Sequence, residues 1–172
     1  MGGEALNGRR VRRDFVESLA ETFVHAGLGM PDIPYYMCGS YKRGRPDCGD
    51  IEIVFHVNDG ETLFVLKQRI GKIFGYNSTN YEAKMQGLYG EVQFDLFIAD
   101  DSSLGAMLMH ATGSGLFNIK MRAIAKSRGL KLNQYGLYRI SDSMPVVLGK
   151  DERTIFDYLG VRYHEPSERD IK

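Results

Sequence analysis

Residues 50–57 constrain the fold more than any other stretch, because their polar and apolar side chains alternate. A period of two is typical of a β-strand with one buried face. The apolar face carries Ile51, Ile53, Phe55 and Val57. The opposite face carries Asp50 and Glu52, whose positions lie about 7 Å apart along such a strand. Two carboxylates can therefore converge on one site.

Apolar periodicity and capping residues predict elements along the rest of the chain, apart from residues 1–8. Helices are predicted at 9–26, 61–73, from 102, 114–128 and 151–159, with Asp151 as the last N-cap. Strands are predicted at 35–38, 81–88, 91–98, near 132, 137–140 and 145–148. The pair 81–88 and 91–98 flanks Tyr89-Gly90, which predicts antiparallel strands. The mixture indicates an α+β fold (mixed α/β), and its character changes near 100–103.

Composition narrows the classes of function. The chain carries 22 basic and 22 acidic residues, which counts against a mainly electrostatic affinity for nucleic acid. Basic residues nevertheless cluster at 9–13 and 118–139. No apolar run reaches the roughly 18 residues of a membrane helix, and residues 1–6 lack a secretory core, so an intracellular location is expected. Cys38 and Cys48 lack zinc-site spacing and are predicted to be reduced thiols.

A phosphate-binding turn is predicted just before the acidic strand. Gly39 and Ser40 follow a predicted strand, and their backbone N–H groups and the hydroxyl can hold a phosphate. Arg43 adds a cationic fork that suits phosphate oxygens. Gly49 permits close backbone approach immediately before the acids.

A third acid, Asp95, lies on a neighbouring predicted strand and can join Asp50 and Glu52. Clustered carboxylates repel one another and stay ionised mainly when divalent cations neutralise them. Two such ions would activate an attacking oxygen and stabilise a leaving pyrophosphate. Alternating acids alone are also typical of an exposed strand face. The turn at Gly39-Ser40 favours the catalytic interpretation.

The spacing of Gly39-Ser40 and Gly49-Asp50-Ile51-Glu52 resembles the signature of the nucleotidyltransferase superfamily that includes DNA polymerase beta. Five ordered segments are similar to family X DNA polymerases specifically. They are Cys-Gly-Ser-Tyr-Lys-Arg-Gly (38–44), Thr-Gly-Ser-Gly-Leu-Phe-Asn-Ile-Lys-Met-Arg (112–122), Leu-Asn-Gln-Tyr-Gly-Leu (132–137), Ile-Phe-Asp-Tyr-Leu (155–159) and Tyr-His-Glu-Pro-Ser-Glu-Arg (163–169). The resemblance covers the chain from about residue 10 onward.

The resemblance implies two domains. Residues 1–100 would form a nucleotidyltransferase palm with a mixed β-sheet and flanking helices. Residues 101–172 would form a small α/β C-terminal subdomain (thumb or fingers type) that selects the nucleotide. The family's lyase domain and helix-hairpin-helix region have no counterpart in this sequence, as in the minimal viral type, so no lyase activity is expected.

The resemblance also implies a role for each matching residue. Asp50 and Glu52 would bind two Mg²⁺ ions, for which Mn²⁺ could substitute, and Asp95 would bind the ion that activates the primer 3′-hydroxyl. The implied nucleotide and triphosphate contacts are Gly39, Ser40, Arg43, Gly49, His110, Ala111, Gly113 and Asn118. The implied DNA and template contacts are Arg122, Lys120, Lys131 and Tyr135.

Five positions depart from the family pattern. Glu52 replaces the usual second Asp, and its longer side chain still suits a metal ion. His110-Ala111 replaces a Tyr-Phe pair that contacts the sugar. Phe97 replaces an arginine, and Gln134 replaces the acid of an Asn-Glu-Tyr motif. The charged switch that those two family residues form on closing is therefore not expected here.

The implied function is DNA-directed DNA polymerisation from dNTP or NTP onto a DNA 3′-hydroxyl, in gap-filling repair, by a monomer that binds primer-template or gapped DNA. One alternative is a nucleotidyltransferase of the same superfamily with another acceptor, such as a small molecule, a tRNA end or a protein, which the zero net charge favours. Another is a catalytically silent DNA-binding module, which would be expected to lose metal ligands. The source, cellular or viral, stays open.

Ala111 predicts weak exclusion of a ribose 2′-hydroxyl, because exclusion needs a bulky side chain at that position. Ribonucleotides and deoxynucleotides should therefore be incorporated with similar efficiency. Single-nucleotide incorporation of the two sugar types, measured side by side on one DNA substrate, checks this. A strong preference for deoxynucleotides would contradict the hypothesis.

Overall fold

A computed structural model describes residues 9–75 and 84–171. Residues 1–8 and the first three positions of the predicted strand 81–88 lie outside the described residues. The strands are β1 (Val11–Arg12), β2 (Tyr35–Met37), β3 (Asp47–Cys48), β4 (Asp50–His56), β5 (Lys84–Tyr89), β6 (Val92–Ala99), β7 (Leu130–Asn133), β8 (Gly136–Arg139) and β9 (Pro145–Val147). The α-helices are α1 (Arg13–Thr22), α2 (Gly39–Lys42), α3 (Gly60–Phe74), α4 (Leu104–Thr112), α5 (Gly115–Ser127) and α6 (Arg153–Tyr158).

A mixed four-stranded sheet, in the order β2-β4-β6-β5, forms the centre of the first part of the chain. β4 pairs parallel with β6, while β2 and β5 pair antiparallel on the outer sides. This arrangement confirms the α+β class with a mixed sheet, and it confirms the antiparallel pair across Tyr89-Gly90. Between the two strands of the central parallel pair the chain passes through α3 and then β5, since parallel strands cannot be joined by a tight turn.

The main apolar core lies between this sheet and the helices α1 and α3. The predicted apolar face of β4 is buried, with Ile53 and Phe55 at 0% exposure. Phe23 stacks on Phe94 of β6 at a centroid distance of 4.5 Å, and Leu66 of α3 packs in the same core. One face of β4 therefore stabilises the fold, which leaves the other for Asp50 and Glu52.

The first helix begins later than the predicted 9–26. Val11 and Arg12 form the short strand β1, which pairs antiparallel with Asp47 and Cys48 of β3. The helix starts at Arg13 and passes into a π-helical turn, Phe23–Gly27. A pairing partner far along the chain thus overrides the local helical pattern at residues 9–12.

A second apolar core forms around a three-stranded antiparallel sheet, β7-β8-β9, with α5 and α6 packed against it. Gly129 follows α5 with φ +71°, as expected for the residue that ends this helix. α6 begins at Arg153 rather than at Asp151. The Asp151 carboxylate still accepts a hydrogen bond from the Arg153 backbone N–H (2.9 Å), although Glu152 occupies the N-cap position.

A smaller apolar cluster joins the two parts through α4. Its buried members are Cys38, Val54, Phe97, Ala99, Leu104, Met107 and Ala111. Cys38 and Cys48 are both free thiols, as predicted. No helix among residues 9–75 and 84–171 is long and apolar enough to span a bilayer.

A buried arginine, Arg169, holds the segment after α6 in place. Its side chain is 0% exposed and makes two 3.0 Å hydrogen bonds to the Glu152 carboxylate. The guanidinium also lies 5.3 Å from the ring centroid of Phe117 and donates to the His164 carbonyl. Tyr163 donates to the same carboxylate (2.8 Å). The Arg169 guanidinium and the Glu152 carboxylate therefore neutralise each other inside the second core.

Arg169→Ala should lower the free energy of unfolding by about 3–5 kcal/mol, because it leaves the Glu152 carboxylate buried without its partner. Urea unfolding at neutral pH measures this loss. Arg162→Ala is the matched control, since Arg162 pairs with Glu168 while its side chain is 66% exposed. Exposed pairs contribute little, so the control should unfold close to the unmutated protein. Equal losses in both variants would contradict the assignment.

Candidate active site

The parallel pairing of β4 with β6 places the three predicted acids on adjacent strands. Glu52 lies opposite Asp95 in register, and Asp50 lies opposite Gln93. Partners in a parallel ladder project from the same face of the sheet. Asp95 is 3% exposed, and Asp50 stands at the first position of β4. The structure thus brings together the carboxylates that the sequence suggested.

Burial and mutual repulsion act on these carboxylates. Burial, followed by the charges of Asp50 and Asp95, raises the pKa of Glu52 to about 8. Burial and then Asp95 raise the pKa of Asp50. The positive charges of Arg43 and Lys84 oppose both shifts. The site therefore favours cations, which would relieve the repulsion.

Two neighbours that the sequence did not suggest hold Asp95. Gln93 Nε2 donates to Asp95 Oδ1 (2.9 Å), and Lys84 forms an ion pair with Asp95 Oδ2. Gln93 shares a strand face with Asp95, so the period of two could have identified it. Lys84 lies on β5, opposite Phe97. Its role depends on the register between two strands, for which the local sequence carries no signal.

Gly39 and Ser40 form the start of the short helix α2 rather than an isolated turn. Gly39 has φ +57°, which favours glycine. A Cβ atom at Gly39 would overlap the Glu52 carboxylate. The backbone at residue 39 therefore packs directly on the carboxylate, and a larger residue there would require the Glu52 side chain to shift. Gly49 lies between β3 and β4, immediately before Asp50.

Arg43 connects the phosphate-binding candidates with the second part of the chain. Its Nη1 donates to the Thr112 carbonyl (2.6 Å), and its Nη2 lies 3.4 Å from Ser40 Oγ. Its Nε donates to Asp170 (2.8 Å), a residue that the sequence did not suggest. A Cβ atom at Gly113 would lie 3.2 Å from Arg43 Nη1, so this glycine too lies beside the guanidinium.

His110, Asn118 and Arg122 meet at the junction of α4 and α5. Asn118 Nδ2 donates to the His110 carbonyl (2.8 Å), and Arg122 Nη2 lies 3.2 Å from His110 Nδ1. Burial, then the charges of Arg122 and Lys84, lower the pKa of His110. The ring is therefore favoured in its neutral form, in which Nδ1 can accept a hydrogen bond from Arg122.

The departures at Phe97 and Ala111 lie inside the apolar cluster between the two parts. Phe97 is 3% exposed, and its ring meets the edge of His110 at a centroid distance of 5.8 Å. Ala111 is 2% exposed and packs in the same cluster. An apolar contact thus lies at position 97, where the family resemblance expected an arginine. The sugar contact predicted for Ala111 stays a prediction.

The remaining predicted DNA contacts are exposed side chains of the second part. Lys120 lies on α5 and Lys131 on β7. Tyr135 lies in the turn after β7 and lines a cavity of about 510 Å³ shared with residues of the first part, including Asn58 and Asp100. The hydrogen bonds described for His110, Asn118 and Arg122 do not extend to them, so their roles stay predictions.

The arginines of the cluster 9–13 have partners nearby. Arg10 pairs with Asp47 and Arg12 with Asp14, while Arg13 donates to the Tyr41 carbonyl. Arg9 lies 3.7 Å from Glu91. Local acids therefore reduce the positive charge that this cluster presents to solvent.

The donor set fits a divalent cation in its chemistry, since three carboxylates supply the oxygen ligands that Mg²⁺ prefers. The side-chain conformers do not converge, however. Among residues 9–75 and 84–171, no group of three or more His, Cys, Asp or Glu side chains is arranged to hold a metal ion. Glu52 is packed under Gly39, and Asp95 is engaged by Gln93 and Lys84. The strand register thus brings the three acidic residues together, but these contacts hold the Glu52 and Asp95 side chains in other directions.

Two family profiles match the chain. The profile described as DNA polymerase beta palm matches residues 10–88, and the profile described as DNA polymerase beta thumb matches residues 107–170. Together they span most of the described residues in the order expected from the sequence.

Characterised relatives are DNA polymerases. DNA polymerase lambda of Rattus norvegicus is 29% identical over 189 residues, which cover 94% of this chain and 33% of the relative. DNA polymerase lambda of Arabidopsis thaliana is 27% identical over 94% of this chain and 37% of the relative. DNA polymerase IV of Saccharomyces cerevisiae is 36% identical over 80 residues, 46% of this chain and 13% of the relative. The chain thus spans about a third of the length of the lambda relatives.

The fold resembles that of a solved polymerase. The crystal structure of Leishmania infantum polymerase beta in a ternary P/T complex superposes with a TM-score of 0.75. The match covers 96% of this chain and 78% of that one, at 21% sequence identity. This likeness concerns the fold.

Gly39→Ala should destabilise the protein more than Gly44→Ala. Both glycines have positive φ (+57° and +83°), so each alanine costs about 1–2 kcal/mol in backbone conformation. Only residue 39 also meets the Glu52 carboxylate, which adds an overpacking cost of about 1–3 kcal/mol. A Cβ atom at Gly44 would meet nothing within 4 Å. Urea unfolding of the two variants gives the difference, and equal losses would contradict the close approach.

Proposed function

Because this chain belongs to family X of the DNA polymerases, we propose that it is a DNA-directed DNA polymerase that transfers nucleoside monophosphates from dNTP or NTP to a DNA 3′-hydroxyl. One observation carries the proposal: the parallel register of β4 and β6, which sets Asp95 opposite Glu52. The start of α2 packs against Glu52, so the phosphate-binding candidates lie beside these acids.

The proposal includes a division of the chain into a palm at residues 1–100 and a nucleotide-selecting subdomain at 101–172. The two profile matches fall on either side of this boundary. Separate apolar cores, one on the four-stranded sheet and one on the three-stranded sheet, support the same division.

Family X polymerases use divalent metal ions, and we propose two Mg²⁺, with Mn²⁺ as a substitute, held by Asp50, Glu52 and Asp95. When bound, such ions activate the attacking hydroxyl and stabilise the leaving pyrophosphate. Gln93 orients Asp95 from the same strand face, and the parallel backbone hydrogen bonds keep the acids at fixed spacing. The positive charges of Lys84 and Arg43 reduce the repulsion among the carboxylates.

Ser40 and Arg43 would bind the triphosphate, with Gly39 and Gly49 permitting close approach of the backbone. The Arg43 guanidinium offers planar donors to phosphate oxygens, and its Nη2 lies beside the Ser40 hydroxyl. It is also close enough to the acids to offset part of the rise in the pKa of Asp50 and of Glu52. A triphosphate here would therefore lie between the guanidinium and the carboxylates.

The nucleoside and the DNA would be bound by the second subdomain. The sugar and base would be lined by residues at the junction of α4 and α5, where Gly113 lies beside Arg43: His110, Ala111, Gly113 and Asn118. Arg122, Lys120, Lys131 and Tyr135 would contact the DNA. The first three carry positive charge on exposed faces, which suits phosphate contacts.

We further propose gap-filling repair on primer-template or gapped DNA, by a monomer acting inside the cell. The named relatives are DNA polymerases, which supports DNA as the acceptor. The zero net charge favours the alternative of a non-DNA acceptor. Primer extension on a gapped duplex and on a single strand, compared with transfer to a small-molecule acceptor, separates the two. Extension of neither DNA substrate would remove the DNA polymerase proposal.

Asp50→Ala and Asp95→Ala should each reduce nucleotide incorporation more than about a hundredfold, because each removes an anionic ligand from the proposed metal site. Single-nucleotide extension of a gapped duplex gives the rates, and a thermal melt shows whether each variant is folded. Asp32→Ala, at an exposed acid of the same part of the chain, is the control and should retain activity. Near-normal rates in a folded Asp50 or Asp95 variant would refute the assignment.

A further inference from the structure

The segment after α6 returns to the phosphate-binding candidates. Asp170 Oδ1 accepts a hydrogen bond from Arg43 Nε (2.8 Å), and Asp170 Oδ2 lies 3.5 Å from Arg45 Nε. Arg43 and Asp170 are 127 positions apart in sequence. One carboxylate therefore bridges two arginines of the loop that follows α2.

The Arg43–Asp170 contact is shielded from water. The Arg43 side chain is 13% exposed and that of Asp170 is 26% exposed, whereas Arg45 is 58% exposed. A charge-assisted hydrogen bond is stronger and more directional where solvent screens it less. Asp170 therefore acts mainly on Arg43 and only weakly on Arg45.

Asp170 is itself held in place by its neighbours. The preceding residue, Arg169, is fully buried in its ion pair with Glu152, and its carbonyl accepts a hydrogen bond from Ser114 Oγ (2.6 Å). The following residue, Ile171, packs against the second apolar core. A carboxylate anchored on both sides can fix the orientation of the arginine that it contacts.

All three nitrogens of Arg43 have neighbours, and only one faces the phosphate-binding candidates. Nε contacts Asp170, Nη1 contacts the Thr112 carbonyl, and Nη2 lies beside Ser40 Oγ. The first two contacts tie the guanidinium to the C-terminal subdomain. They leave Nη2 directed toward Ser40, with a donor N–H to spare.

We propose that Asp170 is a positioning residue for triphosphate binding: it holds Arg43 Nε so that Nη2 is presented beside Ser40. The inference rests on the proposed function, which assigns Arg43 to the triphosphate. Asp170 is not a stand-in for phosphate, because a competing anion would occupy the nitrogen beside Ser40. It occupies the nitrogen away from Ser40 instead.

The test compares Asp170→Ala, Asp170→Asn and the control Asp157→Ala, an exposed acid of α6. Calorimetric titration with deoxyguanosine triphosphate and Mg²⁺, without DNA, measures binding. Asp170→Ala should bind about tenfold more weakly, as expected for a lost charge-assisted hydrogen bond. Asp170→Asn keeps an oxygen that accepts from Nε and should stay within about threefold of the unmutated protein. Asp157→Ala should bind normally.

Kinetics on a gapped duplex separate positioning from general loss of structure. Asp170→Ala should raise the KM for deoxyguanosine triphosphate by about tenfold and change kcat much less. In an Arg43→Ala background, Asp170→Ala should cause no further loss of triphosphate affinity, since the residue that it positions is gone. A thermal melt of each variant excludes unfolding as the cause.

Three results would overturn the inference. They are unchanged triphosphate binding in folded Asp170→Ala, tighter binding in that variant, or a loss of triphosphate affinity from Asp170→Ala that is as large in the Arg43→Ala background as in the unmutated protein. Tighter binding would identify Asp170 as a competing anion. Failure of the proposed function looks different, because the unmutated protein would then extend no DNA primer at all. Loss of binding in Asp170→Ala, with recovery in Asp170→Asn, supports the inference.

Discussion

Asp50, Glu52 and Asp95 lie together in a shielded place, and their burial combined with their mutual repulsion is the constraint to which the rest of the site responds. The parallel backbone pairing of β4 and β6 sets the positions of these residues, so the repulsion cannot be relieved by moving the strands apart. The structure compensates with charge, through Lys84 and Arg43, and with a hydrogen bond from Gln93. The apolar face of β4, buried against α1 and α3, stabilises the sheet against this cost.

Arg43 is one of the residues through which the two parts of the chain share polar contacts, as are Asn58 and Asp101. It belongs to the loop after α2, but two of its partners, Thr112 and Asp170, belong to the second part. Around Phe97 and Ala111 the contact between the parts is apolar. The junction thus combines an apolar cluster, which gives the parts a common core, with one arginine that links the phosphate-binding candidates to the C-terminal segment.

Local patterns predicted the parts of the fold that depend on neighbouring residues. The period of two identified the buried face of β4, including Ile53 and Phe55, and Gly129 marked the end of α5. Long-range pairing was beyond such patterns. Val11 and Arg12 follow a helical period but pair with residues 47–48. Hydrogen bonding to a distant strand decided their conformation, as tertiary context often does.

The residues of the candidate site also fall into two groups, those that local patterns indicated and those that only the complete fold brings to the site. Asp50 and Glu52 were identifiable because two positions of one strand share a face. Asp95 was a candidate because it lies on a neighbouring predicted strand, and the resemblance to a known family supplied its role. Lys84 reaches Asp95 only through the register of β5 on β6. Asp170 reaches Arg43 only because buried Arg169 anchors the segment after α6. Neither contact has a periodic or compositional signal, since both depend on residues brought together by the complete fold.

The anchoring of Arg169 has a consequence for synthesis of the chain. Ribosomes release the palm strands first, and domains commonly fold in the order in which they emerge. The partners of Glu152 and of Arg43 Nε emerge among the last residues described. A product interrupted before residue 169 would keep all three carboxylates but lack the groups that complete the second core. Such a fragment would leave the Glu152 carboxylate without the arginine that neutralises it, so its second core would be less stable than that of the longer chain.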